Sequence, residues 1–160
     1  MAKLKDKIKT ALDEGRMLIL GAQVLLGFQY RSVFEPGFEK LPLSSQYLKL
    51  CGLYLMLIAV ALIMATGAYH RIVERGEQTE HFHRFASRML LIAMVPLALG
   101  MCGDLFVVVR KITESAVAAI IGAGVMLVFF YGLWFGYTFY QRGRREGARP
   151  ETEEALGKTA

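Results

Sequence analysis

A chain of 160 residues that is 54% hydrophobic and 21% charged could be water-soluble only around an unusually large core, with nearly all of its charge in loops. The charges do cluster, but between apolar runs of membrane-crossing length, which argues against an ordinary soluble domain. The net charge of +5 does not call for nucleic acid, because cationic loops on the inner face of a membrane meet anionic lipid headgroups.

Residues 1–16 alternate lysines (Lys3, Lys5, Lys7, Lys9) with an apolar row, Leu4, Ile8 and Leu12, at i, i+4 and i+8. That spacing predicts an amphipathic cytoplasmic helix with its lysines on lipid headgroups, or else a plain charged lead-in to the next helix. Charges of both signs and the lack of a small-x-small site make a cleavable signal peptide unexpected.

The next segment is the weakest span. Met17 to Tyr30 is free of formal charge for only 14 residues and includes Gln23 and Gln29. About 20 residues are needed to cross a hydrocarbon core of about 30 Å at 1.5 Å per residue. Three later stretches meet that need: Leu50 to His70, Met89 to Val109 with Asp104 as its only charge, and Ala116 to Tyr140. Pro36, Gly37 and Pro42 break the chain between the first segment and the second.

Charge bias decides whether the first segment crosses, because short cytoplasmic loops collect Lys and Arg. With four spans, fourteen basic residues fall inside: Lys3, Lys5, Lys7, Lys9 and Arg16; Arg71, Arg75, Arg84 and Arg88; Arg142, Arg144, Arg145, Arg149 and Lys158. Only Arg31, Lys40, Lys49, Arg110 and Lys111 fall outside. Three spans would leave the two sides nearly equal. The expected fold is therefore all-α: a transmembrane four-helix bundle with spans near 17–34, 46–69, 86–109 and 116–140. Both termini would be cytoplasmic, with a disordered tail from 141 to 160, and the inner (cytoplasmic) membrane is the expected location.

Arg16-Met17-Leu18 opens the first span and Arg88-Met89-Leu90 the third, while Tyr69-His70-Arg71 and Tyr140-Gln141-Arg142 close the second and fourth. Such matching ends fit either a duplicated helical hairpin with a pseudo-two-fold along the membrane normal, or convergence on the residues that any inner interface favours.

Ionisable groups inside spans are costly and mark partners or pathways. Arg31 and Asp104 fall at similar height in the outer part of the bilayer, so an ion pair between the first and third helices is one expectation. Arg31 snorkelling to headgroups is the other. Gln23, Gly27 and Arg31 share one helical face, a polar stripe around a small residue that is expected to point into the bundle. Gly122, Gly132 and Gly136 on the last span lie at spacings that allow close helix packing. Cys51 and Cys102, in outer halves of spans, are expected to pack as apolar groups, with a bridge between them as the alternative. Glu77, Glu80, His81 and His83 beside His70 resemble a metal set, but only Glu77 and His81 have the shared-face spacing, so a solvated loop and no metal are expected. No nucleophile constellation or phosphate loop occurs, so neither an enzyme nor a cofactor is expected.

The run Gly21-Ala22-Gln23-Val24-Leu25-Leu26-Gly27-Phe28, the Ala68-Tyr69-His70-Arg71 end of the second span and His83-Arg84-Phe85-Ala86-Ser87-Arg88 resemble a bacterial family of small four-helix integral membrane proteins, classed as a domain of unknown function. The resemblance runs from about Leu12 to Val109 and implies topology only. Some members carry a sodium/proton antiporter label, which fits poorly here because no pair of acidic residues lies at mid-membrane depth. Two functional expectations follow. One is a non-catalytic accessory or scaffold subunit, acting by helix packing in a homo-oligomer or larger complex over an anionic inner leaflet. The other is a small ion or proton-coupled transporter or channel using Asp104 and Arg31.

Overall fold

A computed structural model describes residues 2–73 and 79–147. Four helices make up the described chain, which contains no strand: α1 (Ala2–Val33), α2 (Leu43–Ile72), α3 (Glu80–Thr113), and α4 (Ala116–Tyr131), which continues through a π-helical turn (Gly132–Tyr137) into α5 (Thr138–Gly147). Leu43–Ile72, Glu80–Thr113 and Ala116–Gln141 are each long and apolar enough to cross a membrane.

The helix ends follow from local chemistry. Pro42 directly precedes α2, where its missing N–H costs nothing. Gly37 sits at φ 104 in the tight connection before it, a region open to glycine and costly for other residues. Thr79 caps α3 by accepting from the Phe82 N–H at 3.1 Å, and Ser115 caps α4 by accepting from the Ala118 N–H at 3.3 Å. Between the last two spans the chain reverses at Glu114, held at φ 55.

Packing is tightest between α2 and α3, and α1 lies against both in three stacked layers. At the end formed by the N-terminus of α1, labelled the inner end after the expected topology and the opposite one the outer end, Ile8 meets Phe82 and Ala86, with Leu12 and Tyr69 beside them. Ile63, Leu90 and Ala93 form the next layer with Leu18 and Ile19. Above it, Ala22 meets Met56, Ala59, Val60 and Leu97. The apolar row of residues 1–16 thus belongs to one uninterrupted helix and packs on protein at Ile8, the arrangement of a lead-in to the next segment and not of a separate helix laid on lipid. The ends of α2 and α3 extend far enough to offer Tyr69 and Phe82 as partners. Lys9 is exposed, while the side chains of Lys3, Lys5 and Lys7 lie outside those described.

The fourth helix packs on α3, with Trp134 reaching the central layer. Pro96 inside α3 supplies no N–H to the helix, and nearby the Tyr131 hydroxyl donates to the Val95 carbonyl at 3.1 Å. A two-fold relating the α1–α2 and α3–α4 hairpins would repeat the α2–α3 contact between α4 and α1. No such contact occurs among the described residues, so the four helices are not arranged about that two-fold. Residues 141–147, expected to be disordered, are helical as the end of α5, and 148–160 lie outside the described residues.

Candidate functional site

The polar centre of the molecule lies at the outer end of the three-helix contact. Gly52 and Gly100 let the α2 and α3 backbones touch there: a Cβ on Gly100 would sit 3.3 Å from the Gly52 carbonyl oxygen and 3.1 Å from Met56 Cγ. One turn further out on α3 is Asp104, and just under one turn further out on α2 is Lys49. Lys49 Nζ lies 2.7 Å from Asp104 Oδ1, with side-chain exposures of only 12% and 25%. From α1, the Gln29 amide donates to the second carboxylate oxygen, Oδ2, at 2.5 Å. One carboxylate therefore ties three helices together, and both of its oxygens are occupied by donors.

Two buried oxygens nearby have no partner among the described residues: Gln29 Oε1, and Ser45 Oγ one turn outside Lys49. An open groove of 420 Å³ between α1 and α2 reaches Gln29 and Lys49 past Val33, Phe38 and Leu53. Above the cluster the Arg110 guanidinium donates to Ser44 Oγ at 3.0 Å.

Arg31 takes no part. It points away from the bundle and pairs with Glu35 at 3.1 Å with its side chain 76% exposed, so the expected Arg31–Asp104 pair does not form. Asp104 has a nearer cation in Lys49, and a residue two positions from inward-facing Gln29 is about 200° away around the helix. The same rotation moves the whole stripe: Gln23 and Gly27 lie on the exposed face of α1, and Ala22, Leu26 and Gln29 face inward. Nothing lies within 4 Å of a Cβ placed on Gly27.

Of the glycines singled out on the last span, Gly122 alone approaches another helix, with Val109 Cγ2 at 3.7 Å from its Cβ position. Gly132 has no neighbour within 4 Å, and Gly136 meets only its own helix, at the Tyr131 carbonyl. The two glycines that do set a helix crossing, Gly52 and Gly100, belong to no within-helix motif. The signal available for them was an ionisable residue within one turn of each, at the same height on neighbouring spans. Cys51 and Cys102 are both free.

At the opposite, inner end, Tyr69 stacks on Phe85 at 4.2 Å, and the His70 ring lies 4.8 Å from Phe82. His81 is exposed, His83 is half-buried and Glu77 lies outside the described residues. The chain has no significant match among curated proteins or solved structures. Residues 2–138, more than the stretch from Leu12 to Val109, match one family. With its four helices and polar outer clasp, the chain belongs to the family of unknown function DUF6328.

Proposed function

We propose that the protein is a non-catalytic subunit of the inner membrane, crossing it four times with both termini cytoplasmic, and that it acts as a scaffold through the outward face of α1. The observation that carries this reading is the placement of Gln23 and Gly27 on that face. Gln23 lies seven residues beyond Arg16, about 10 Å into the hydrocarbon core, where an amide facing lipid leaves its hydrogen bonds unmade. A glutamine and a glycine one turn apart are the residue types that join helices in membranes, the glycine by close approach and the amide by hydrogen bonding. That α1 crosses at all is supported by its contacts with α2 and α3 in all three core layers.

The partner surface is a second copy of the chain or a larger membrane complex. The test is oxidative cross-linking in native membranes, with Gln23→Cys or Gly27→Cys introduced after Cys51→Ser and Cys102→Ala. Cross-linked product is expected at these positions and not with Ile121→Cys, which lies on the exposed face of α4. A chain that fails to cross-link at either position and is monomeric and unaccompanied in gentle detergent overturns the proposal.

A second reading, ion or proton-coupled transport, draws support from the groove that reaches Lys49 and Gln29 beside Asp104. Against it stand the pairing of Asp104 with Lys49 and the apolar layers beneath. Ion or proton flux in proteoliposomes that is abolished by Asp104→Asn would establish transport in place of the scaffold.

A further inference from the structure

At the inner end of the α1–α2 contact the two helices part to leave a second groove, of 570 Å³, within the range of about 300–1,000 Å³ that accommodates small ligands. Its lining changes character along its length. Towards the membrane interior it is walled by Ile19, Ile63 and Met64, and at the cytoplasmic rim by Arg16, His70 and Arg71, with no carboxylate among the described residues of this lining. His70 adds an unusual feature: its Nε2 is buried and has no hydrogen-bond partner among the described residues. Arg16 is bound to Asp13 through a single nitrogen, at 3.2 Å, which leaves most of its five N–H donors available.

We propose that this groove holds one anionic phospholipid of the cytoplasmic leaflet, its phosphate between Arg16 and Arg71 beside His70 and an acyl chain along Ile19, Ile63 and Met64. The inference rests on the reading above that these helices cross the membrane with this end inside. Guanidinium groups match phosphate by paired, charge-assisted hydrogen bonds. Basic pockets between spans on the cytoplasmic side are where anionic headgroups are recognised. The match extends below the headgroup, because the apolar end of the groove begins within one helical turn of Arg16, at Ile19. A free anion would use the rim and leave that end empty, whereas a diacyl lipid fits both. Gly67 lies in the wall with nothing within 4 Å of its Cβ position, so a larger side chain there enters the groove and leaves the packed core alone.

Retention of the protein in the membrane pellet after alkaline extraction tests the membrane reading separately from the lipid site. The lipid site itself is tested by native mass spectrometry of the full chain in detergent, titrated with phosphatidylglycerol and in parallel with phosphatidylcholine. The wild type is expected to retain one phosphatidylglycerol in preference to phosphatidylcholine. Arg16→Gln with Arg71→Gln should weaken that binding roughly 30-fold, each basic group at an anionic surface being worth about a fivefold factor, and should leave phosphatidylcholine unaffected. Gly67→Leu should weaken both lipids, and Arg16→Lys with Arg71→Lys, which keeps the charge without the paired geometry, should recover part of the preference. Equal retention of the two lipids by the wild type overturns the proposal. So does unchanged phosphatidylglycerol binding by Gly67→Leu, which decides alone if the double glutamine variant does not elute as folded protein. Complete displacement of the lipid by millimolar inorganic phosphate would show a free-anion site and overturn it equally.

Discussion

The two ends of the α1–α2 contact carry similar residues in opposite arrangements. At the outer end a cation is closed off: Lys49 sits on Asp104, Gln29 takes the remaining carboxylate oxygen, and three helices are fastened at one point. At the inner end Arg16 and Arg71 edge a groove whose described lining residues include no acid. In the first case all the strong partners come from the chain itself, so the group acts on folding. In the second the described lining offers no carboxylate and Arg16 keeps only an exposed contact with Asp13 on its own helix, so the proposed lipid would supply the remaining partners. An ionisable residue near a membrane therefore has to be judged by where its counter-charge resides, and depth alone does not decide its role.

The largest effect expected from breaking the comparison is at the outer end. Asp104→Ala leaves the Lys49 ammonium buried without a counter-charge, and Lys49→Met leaves the carboxylate in the same position. Each should cost about 3–5 kcal/mol, read as lost thermal or denaturant resistance in detergent. Asp104→Leu combined with Lys49→Met should recover most of that loss, because it removes both charges and keeps the volume filled. Additive losses in the double variant would show that the two residues act independently, and the outer end would then be no clasp.

How much of this could be read from the residues alone depends on which physical signal each feature leaves. Four helices follow from apolar length and from the arginines and lysines at their ends, because both act on single segments. The face of α1 does not. The row Gln23, Gly27, Arg31 and the row Ala22, Leu26, Gln29 centre about 130° apart around the helix, and polarity favoured the wrong one. What turns α1 the other way is a contact made elsewhere: small Ala22, 2% exposed, against Met56 and Leu97, and Gln29 against Asp104. Lys49 was hidden differently. It stands at the edge of an apolar run and counts as an outer flank in the charge bias, although it lies six residues inside α2. Asp104 was recognisable as costly, but its partner depended on the register between α2 and α3, which Gly52 and Gly100 set and no single-helix pattern records.

That register gives the next effect in size. Gly100→Val places atoms where Met56 Cγ and Sδ stand 3.1 and 3.2 Å from the Cβ position and the Gly52 carbonyl oxygen 3.3 Å from it. Methionine can yield, but the backbone oxygen cannot without separating the helices. A loss of about 1–3 kcal/mol is expected. Met56→Ala in the same chain should return only part of it. Gly67→Val, at a position with open space, provides the matched control and should leave stability nearly unchanged. If the two valine variants lose the same stability, the α2–α3 crossing is not where the outer end is held.

The smallest effect tests the inner end. Among the described residues Arg16 is bound only to Asp13, three residues earlier on its own helix, with side-chain exposures of 77% and 45%. Exposed pairs of this kind contribute about 0–1 kcal/mol, so Arg16→Gln should hardly move the unfolding midpoint in detergent free of anionic lipid. Adding phosphatidylglycerol should change that result. A ligand that binds only the folded chain raises its stability by RT ln(1 + [L]/Kd), so the wild type should gain with lipid concentration while Arg16→Gln gains less at every concentration. The direction of the difference separates the two kinds of charge: at Asp104 the loss is present without lipid, and at Arg16 it emerges only with lipid. An Arg16→Gln loss that is large in lipid-free detergent would place Arg16 with Lys49 as part of the fold, and the contrast between the two ends would disappear.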